Sequence, residues 1–185
     1  MAIYIQQSPD EVQHSFNLQR RAEIISVNLN AASIASYPQG HESGRDLSIR
    51  VGHESKGKMM EDGALATNIE FALVASPEDD DSIRVFSIKC TFRITYQLDE
   101  GYQPTSQEIK AFAGANAVFN AWPYFREFAQ NACVRMGIPA TPTVPFLKLV
   151  PKAQEKTKPA GKVLAQPSAT DAPKVKARKH QAKPS

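Results

Sequence analysis

The chain has only two cysteines, Cys90 and Cys133, far apart and each set within an apolar pattern. That excludes a disulfide framework and makes both of them small buried hydrophobes, suited to a reducing cytoplasm. No run approaches the roughly 18 apolar residues of a membrane span, and the opening MAIYIQQSPDEVQ has neither the basic nor the apolar stretch of an export signal. The expectation is a cytoplasmic chain with no membrane span. Chemical signatures are equally sparse, for Cys-x-x-Cys, His-Glu-x-x-His and Gly-x-Ser-x-Gly are all missing. GHESKGK, residues 52 to 58, fills the first seven positions of a phosphate-binding loop, but Met59 stands where a Ser or Thr would hold magnesium, so the stretch reads as a solvated hairpin turn. GHES recurs at 40 to 43. The ten or so strand residues between the two copies span about 33 Å, too far for one metal to bridge. Asp79, Asp80 and Asp81 lack the glycine and the distant Glu of a calcium loop and read as a solvated turn. This inventory predicts no enzyme, no metal site and no cofactor.

What is present divides the chain in two. Residues 151 to 185 hold nine Lys and Arg against Glu155 and Asp171, a net +7, which leaves −4 for residues 1 to 150 out of the overall +3. The segment contains Pro151, Pro159, Pro167, Pro173 and Pro184 and no aromatic residue. It has too little apolar surface to fold and is predicted to be disordered. Residues 1 to 150 are predicted to form one α+β domain, within a chain whose 42% hydrophobic content is that of a globular protein.

The strongest periodic signal is SIRVFSIKCTFRITYQL, residues 82 to 98, where Phe86, Ile88, Cys90, Phe92, Ile94, Tyr96 and Leu98 alternate with polar residues. Such a pattern means a long, half-buried strand. Ile69, Phe71 and Leu73 show the same period, and SPEDDDS between the two runs predicts a hairpin. Upstream, AEIISVNLNAAS (Ile25, Val27, Leu29) and DLSIRVGHES (Leu47, Ile49, Val51) are two more strands joined by a breaker-rich segment. Four strands and then helices predict a four-stranded antiparallel meander with helices packed on one face. Near the N-terminus, Ser8 is a candidate cap for one helical turn.

The helical region opens with a capping box, Thr105 to Glu108, and its first piece is expected to end around Gly114. A second piece shows the buried stripe Trp122, Phe125, Ala129, Ala132, Cys133 and Met136. Pro123 lies within it, and an interior proline costs about 3 kcal/mol. With Asn120 as N-cap the proline falls in the first turn, where its missing N–H is harmless, so the sequence predicts a break between two helices. Gly137 closes the second, with Pro139 just beyond. Tyr124 and Phe128 fall off the Trp122/Phe125 stripe, and Phe119, Phe146, Leu147 and Leu149 add further apolar surface. So wide a girdle exceeds what one sheet contact requires and implies a second partner, another subunit or an apolar polypeptide segment.

Four strands followed by a helix reading Asn-x-x-Phe-x-x-x-Pro-Tyr-x-Arg-Glu, here Asn116, Phe119, Pro123, Tyr124, Arg126 and Glu127, resemble the SecB family of protein-export chaperones. Trp122 stands where that family has Phe before the proline. The order of elements covers about residues 15 to 150, whereas the motif covers barely a dozen. The resemblance implies a cytoplasmic, ATP-independent holdase, assembled as a dimer or tetramer, that keeps clients unfolded for export through SecA or serves one antitoxin in a toxin-antitoxin system. Client contacts would then fall on Phe119, Trp122, Tyr124, Phe125, Phe128, Phe146 and Leu149. IPATPTVPFLKLVPKAQEK departs from the family in carrying no second long helix, and the Lys-Ala-Pro tail differs from the SecA-contacting one. Two other readings stand beside it: nucleic-acid association through the basic tail by counterion release, and an adaptor subunit of the same fold without holdase activity.

Overall fold

The computed structural model describes residues 2–37, 46–138, 144 and 146–152. Residues 153–185 of the predicted disordered tail, the first GHES, Pro139 and Pro145 lie outside the described residues, as do the side chains of Phe146 and Pro151. The elements are β1 (Ala2–Gln7), α1 (Pro9–Gln19), β2 (Ala22–Ser36), β3 (Leu47–Met59), β4 (Leu65–Pro77), β5 (Phe86–Leu98), α2 (Ser106–Phe112), a π-helical turn (Ala113–Ala117), α3 (Val118–Arg135) and β6 (Phe146–Pro151).

β4 and β5 pair antiparallel across the expected hairpin, and the alternating residues of β5 are buried on one face as read from the sequence. Four antiparallel strands form the main sheet, but in the order β2-β5-β4-β3 rather than the sequential order of a meander. β3, β4 and β5 are joined as successive hairpins while β2 lies beside β5, a Greek-key arrangement. The central places go to β4 and β5, whose inner faces are apolar but for the buried Thr67, which donates to the Ile94 carbonyl. β2 and β3 are interrupted by Asn, Ser, Gly and His and take the edges.

Helices cover one face, as expected. Phe71 of β4 stacks on Phe125 at 4.5 Å and meets Trp122 edge-on at 5.6 Å, while Tyr96 of β5 meets Phe112 at 5.0 Å. The Thr105 capping box forms, with Glu108 N–H donating to Thr105 Oγ1 and the Glu108 carboxylate accepting from the Thr105 N–H. Ser8 and Glu11 form a second box, which starts not one turn but the 11 residues of α1. Gly137, at φ 68°, ends α3 with Ile138 N–H donating to the Cys133 carbonyl and Gly137 N–H to that of Val134, as the left-handed closing residue requires.

The helix does not break at Asn120. Helical backbone runs from Ser106 to Arg135, the π turn occupies the middle, Gly114 lies within that turn, and Pro123 is inside α3. Burial explains why the proline is tolerated. Val118, Ala121, Trp122 and Phe125 flank it and all face the core. Each large apolar side chain buried contributes about 1.5–3 kcal/mol, so holding both sides of Pro123 on the sheet outweighs a cost of about 3 kcal/mol.

GHESKGK is not a turn but part of β3. Its second glycine has a packing role, since a Cβ on Gly57 would lie 2.7 Å from Cγ2 of Ile109. That methyl is fixed to the branched Cβ of a helical residue and has little room to yield. Gly57→Ala is accordingly expected to destabilise the fold by about 1–3 kcal/mol through overpacking, despite the better strand propensity of alanine. A urea-unfolding midpoint unchanged by the substitution would contradict that packing.

Candidate functional site

α3 runs along β5 with two different flanks. On one, Trp122 and Phe125 meet Phe71 of β4. On the other, Asn120 Nδ2 donates to the Tyr96 hydroxyl at 3.2 Å, and one turn later Tyr124 lies 6.4 Å from the ring of Phe92. Tyr96 and Phe92 are the β5 partners of Ile24 and Leu29 in β2. The second flank of α3 therefore borders β2, which lies next to β5 at the sheet edge and beyond the strands that the helix covers.

Strict alternation would turn Ser26 and Asn28 to the same face as Ile24. Register shifts between Ile24 and Ser26 and between Leu29 and Ala31 prevent this. Each bulge inserts one residue and reverses the side-chain phase. Ile24, Val27, Leu29, Ala32 and Ile34 are thereby paired with Tyr96, Ile94, Phe92, Cys90 and Ile88, all on the helix-bearing face. The expected facing set Ile25, Val27 and Leu29 is corrected accordingly, for Ile25 falls at the first bulge.

The result is an apolar trough. Its floor is Ile24, Leu29 and Ile34, exposed at 44%, 46% and 44%, with Val27 half-buried between them. Its wall is the outer flank of α3, where Tyr124 is exposed at 46% and Phe128 is half-buried. Single exposed apolar residues are ordinary, but a contiguous set on one face marks an association surface. The outer edge of β2 adds to it. No strand pairs there among the described residues, and Glu23 is the only ionisable side chain in the 15 residues of β2. Edge strands normally carry charge or proline against unwanted pairing, and this one has neither beyond its start.

The expected contact residues thus divide. Trp122 (5% exposed) and Phe125 (0%) are core, with no surface to offer. Tyr124 and Phe128 line the trough wall, whereas Phe119 is exposed about 140° round the helix from Tyr124, on the side of Trp122. Leu149 is exposed on β6, a different element, and the side chain of Phe146 lies outside the described residues. The residues that sequence reasoning missed are Ile24 and Ile34, and their signal was an apolar residue at each end of β2 out of phase with its middle.

No constellation for catalysis accompanies the trough. Among the described residues no three His, Cys, Asp or Glu gather as metal ligands, and no helix is long and apolar enough to cross a membrane. Burial raises the Cys90 thiol to about 12 and the Cys133 thiol to about 11, so neither is a nucleophile at neutral pH. The Asp79–Asp81 turn forms as read. Asp81 pairs with Arg50 at 2.7 Å, and Asp80 accepts from the Ser82 hydroxyl and N–H.

His53 faces the core from β3, edge-on to Phe71 at 6.4 Å, and its Nδ1 is buried without a hydrogen-bond partner. Burial holds the imidazole pKa below its ordinary value. Above the unfolded value of about 6.5 both states are neutral there and stability is full. As pH falls below 6.5 the unfolded chain takes up a proton that the folded chain refuses, and stability is lost progressively through the depressed folded pKa. The urea midpoint is expected to fall between pH 7.5 and 5.5, and His53→Phe to flatten that fall. An unchanged slope in the variant would assign the acid sensitivity to another group.

No protein-family model matches the chain, and no curated protein matches it. Among solved structures it is similar to a SecB-like chaperone, Rv1957 of Mycobacterium tuberculosis, solved in complex with a ChAD peptide from the Rv1956 HigA1 antitoxin. The TM-score is 0.66, 20% of residues are identical, and the match covers 75% of this chain and 99% of that one. A protein of unknown function from Streptococcus agalactiae matches at TM-score 0.41 and 10% identity, over 68% of this chain and 98% of that one. The α+β fold is therefore SecB-like: a four-stranded antiparallel sheet with helices on one face.

Proposed function

We propose that the protein is an ATP-independent holdase that captures non-native or partly disordered polypeptide in the trough between β2 and α3, and that it acts in the cytoplasm as a homo-oligomer, a dimer or a tetramer. The trough carries this reading. It joins exposed apolar side chains for alternate residues of a client to an unprotected strand edge for its backbone, the two features an extended chain needs for binding without sequence-specific chemistry. The antitoxin peptide held by the SecB-like neighbour supports an antitoxin segment as one client class. Export clients passed on to SecA are the other class that the fold resemblance suggests.

The test is suppression of aggregation of a chemically denatured protein diluted into the full chain at near-equimolar ratio without nucleotide. Suppression is expected, and removal of residues 153 to 185 is expected to leave it intact. No suppression, together with DNA binding that vanishes at raised salt and on the same truncation, would replace the holdase by the basic-tail reading.

A further inference from the structure

The floor of the trough is uneven. Across the two bulges, Ile24, Val27, Leu29, Ala32 and Ile34 stand opposite Tyr96, Ile94, Phe92, Cys90 and Ile88, every second residue of β5. A strand advances about 3.4 Å per residue, so these side chains form one row with steps of about 7 Å. All are branched except the methyl group of Ala32. Val27 fills the interval between Ile24 and Leu29 and is half-buried there. Ala32 holds the matching interval between Leu29 and Ile34 and is exposed. The row therefore dips once, at Ala32, between two side chains about 14 Å apart, each nearly half exposed.

What surrounds the dip decides what enters it. Glu23, at the start of β2, is the only ionisable side chain of that strand. A charged group brought to Ala32 therefore gives up water and gains no counter-charge from β2, an unfavourable exchange. At the Leu29 end the ring of Tyr124 lies 6.4 Å from Phe92, the β5 partner of Leu29. Apolar contact is thus offered from two sides, by Leu29 with Tyr124 and by Ile34. Bulk is limited as well. A helix with its side chains is about 10–12 Å across, too broad to sink between neighbours about 14 Å apart once the width of Leu29 and Ile34 is taken off. One side chain of an extended segment fits, and such a segment repeats at every second residue with the same step of about 7 Å as the row.

Resting on the reading of the trough as a client site, we propose that Ala32 is its specificity-determining residue: the client segment presents one bulky apolar side chain, of leucine to phenylalanine size, that seats in the dip between Leu29 and Ile34. Its neighbours at the alternate positions fall over Leu29 and Ile34, where the floor already stands high and a small side chain suffices. The favoured segment is therefore uncharged and reads small, large, small at alternate positions, a narrower class than apolar chains at large. Bulky residues at all three positions meet the two high points and gain nothing over the single one.

The experiment measures binding of fluorescein-labelled nonapeptides to the full chain by fluorescence anisotropy. Their frame is Ser-Thr-Ala-Thr-X-Thr-Ala-Thr-Ser with Ala, Leu or Phe at X, and a further peptide carries Leu at X and at both flanking Ala positions. The single-Leu and Phe peptides are expected to bind about tenfold or more tightly than the Ala peptide, and the triple-Leu peptide within about threefold of the single-Leu one. Ala32→Leu fills the dip and is expected to bring the Ala, Leu and Phe peptides within about threefold of one another. The fold should persist, since Ala32 is exposed and a strand accepts larger apolar side chains. Ser33→Leu, beside it but opposite Lys89 on the other face, is expected to keep the full difference. Discrimination that is missing from the natural chain, that survives Ala32→Leu, or that rises again by about tenfold with the triple-Leu peptide overturns the assignment and leaves the trough in place. So does a fall in the mass of the assembly on Ala32→Leu with discrimination unchanged, which gives the dip to a second copy of the chain. Peptide binding indifferent to Leu29→Asp with Ile34→Asp, or no binding of any peptide by a chain that also fails to hold denatured protein, sinks the trough and this assignment together.

Discussion

Phe125→Ala is expected to lower the stability of the fold by about 3–5 kcal/mol, whereas Tyr124→Ala, one residue away, is expected to cost less than about 1 kcal/mol. Phe125 has no exposed surface, stacks on Phe71 at 4.5 Å and lies 5.3 Å from Trp122, so its removal opens a cavity at the centre of the helix–sheet contact. Tyr124 has one ring contact, with Phe92 at 6.4 Å, and is nearly half exposed. The loss at Phe125 also bears on Pro123, because the burial that holds the helix across the proline is the energy the substitution removes. Equilibrium urea unfolding of both variants reads the contrast directly. Comparable losses at the two positions would mean that Tyr124 too is core, and would leave the trough without its wall.

That contrast marks how far the sequence could be read. The alternation in β5 revealed a strand, its buried face and its hairpin partner, because a period of two over 13 residues has no competing explanation. The Ser8 cap and the Thr105 capping box located two helix starts through local hydrogen bonds alone. Greek-key order stayed hidden, since which strands occupy the centre depends on comparing the apolar faces of all four. Pro123 was misplaced for a related reason. A local rule gave its cost, and only tertiary burial on both sides of it offset that cost. β1 and β6 pair over six residues each from nearly opposite ends of the described chain, and so short a parallel pairing leaves no periodic trace. In the site, the wall residues Tyr124 and Phe128 were legible as apolar positions off the main stripe. The floor was not, because the two bulges of β2 reverse its phase twice and make Ile24, Leu29 and Ile34 appear to face different ways.

Those bulges also give the trough its most demanding test. Leu29→Asp with Ile34→Asp is expected to weaken capture of a denatured client at least tenfold and to dissociate the assembly. The isolated fold should lose no more than about 1 kcal/mol, since both side chains are nearly half exposed and their β5 partners, Phe92 and Ile88, stay covered by neighbouring residues. Two carboxylates on an apolar floor remove its hydrophobic contribution, and any chain that buries them meets an unpaired charge. Leu29→Val with Ile34→Val keeps the apolar surface and should retain capture, which separates loss of the surface from loss of the strand. Mass of the assembly in solution and suppression of aggregation are then read together. Capture lost with assembly intact would assign the floor to clients, and assembly lost with capture intact would assign it to a second copy of the chain. If both survive the double carboxylate, neither function resides between β2 and α3, and the exposed residues there are ordinary surface.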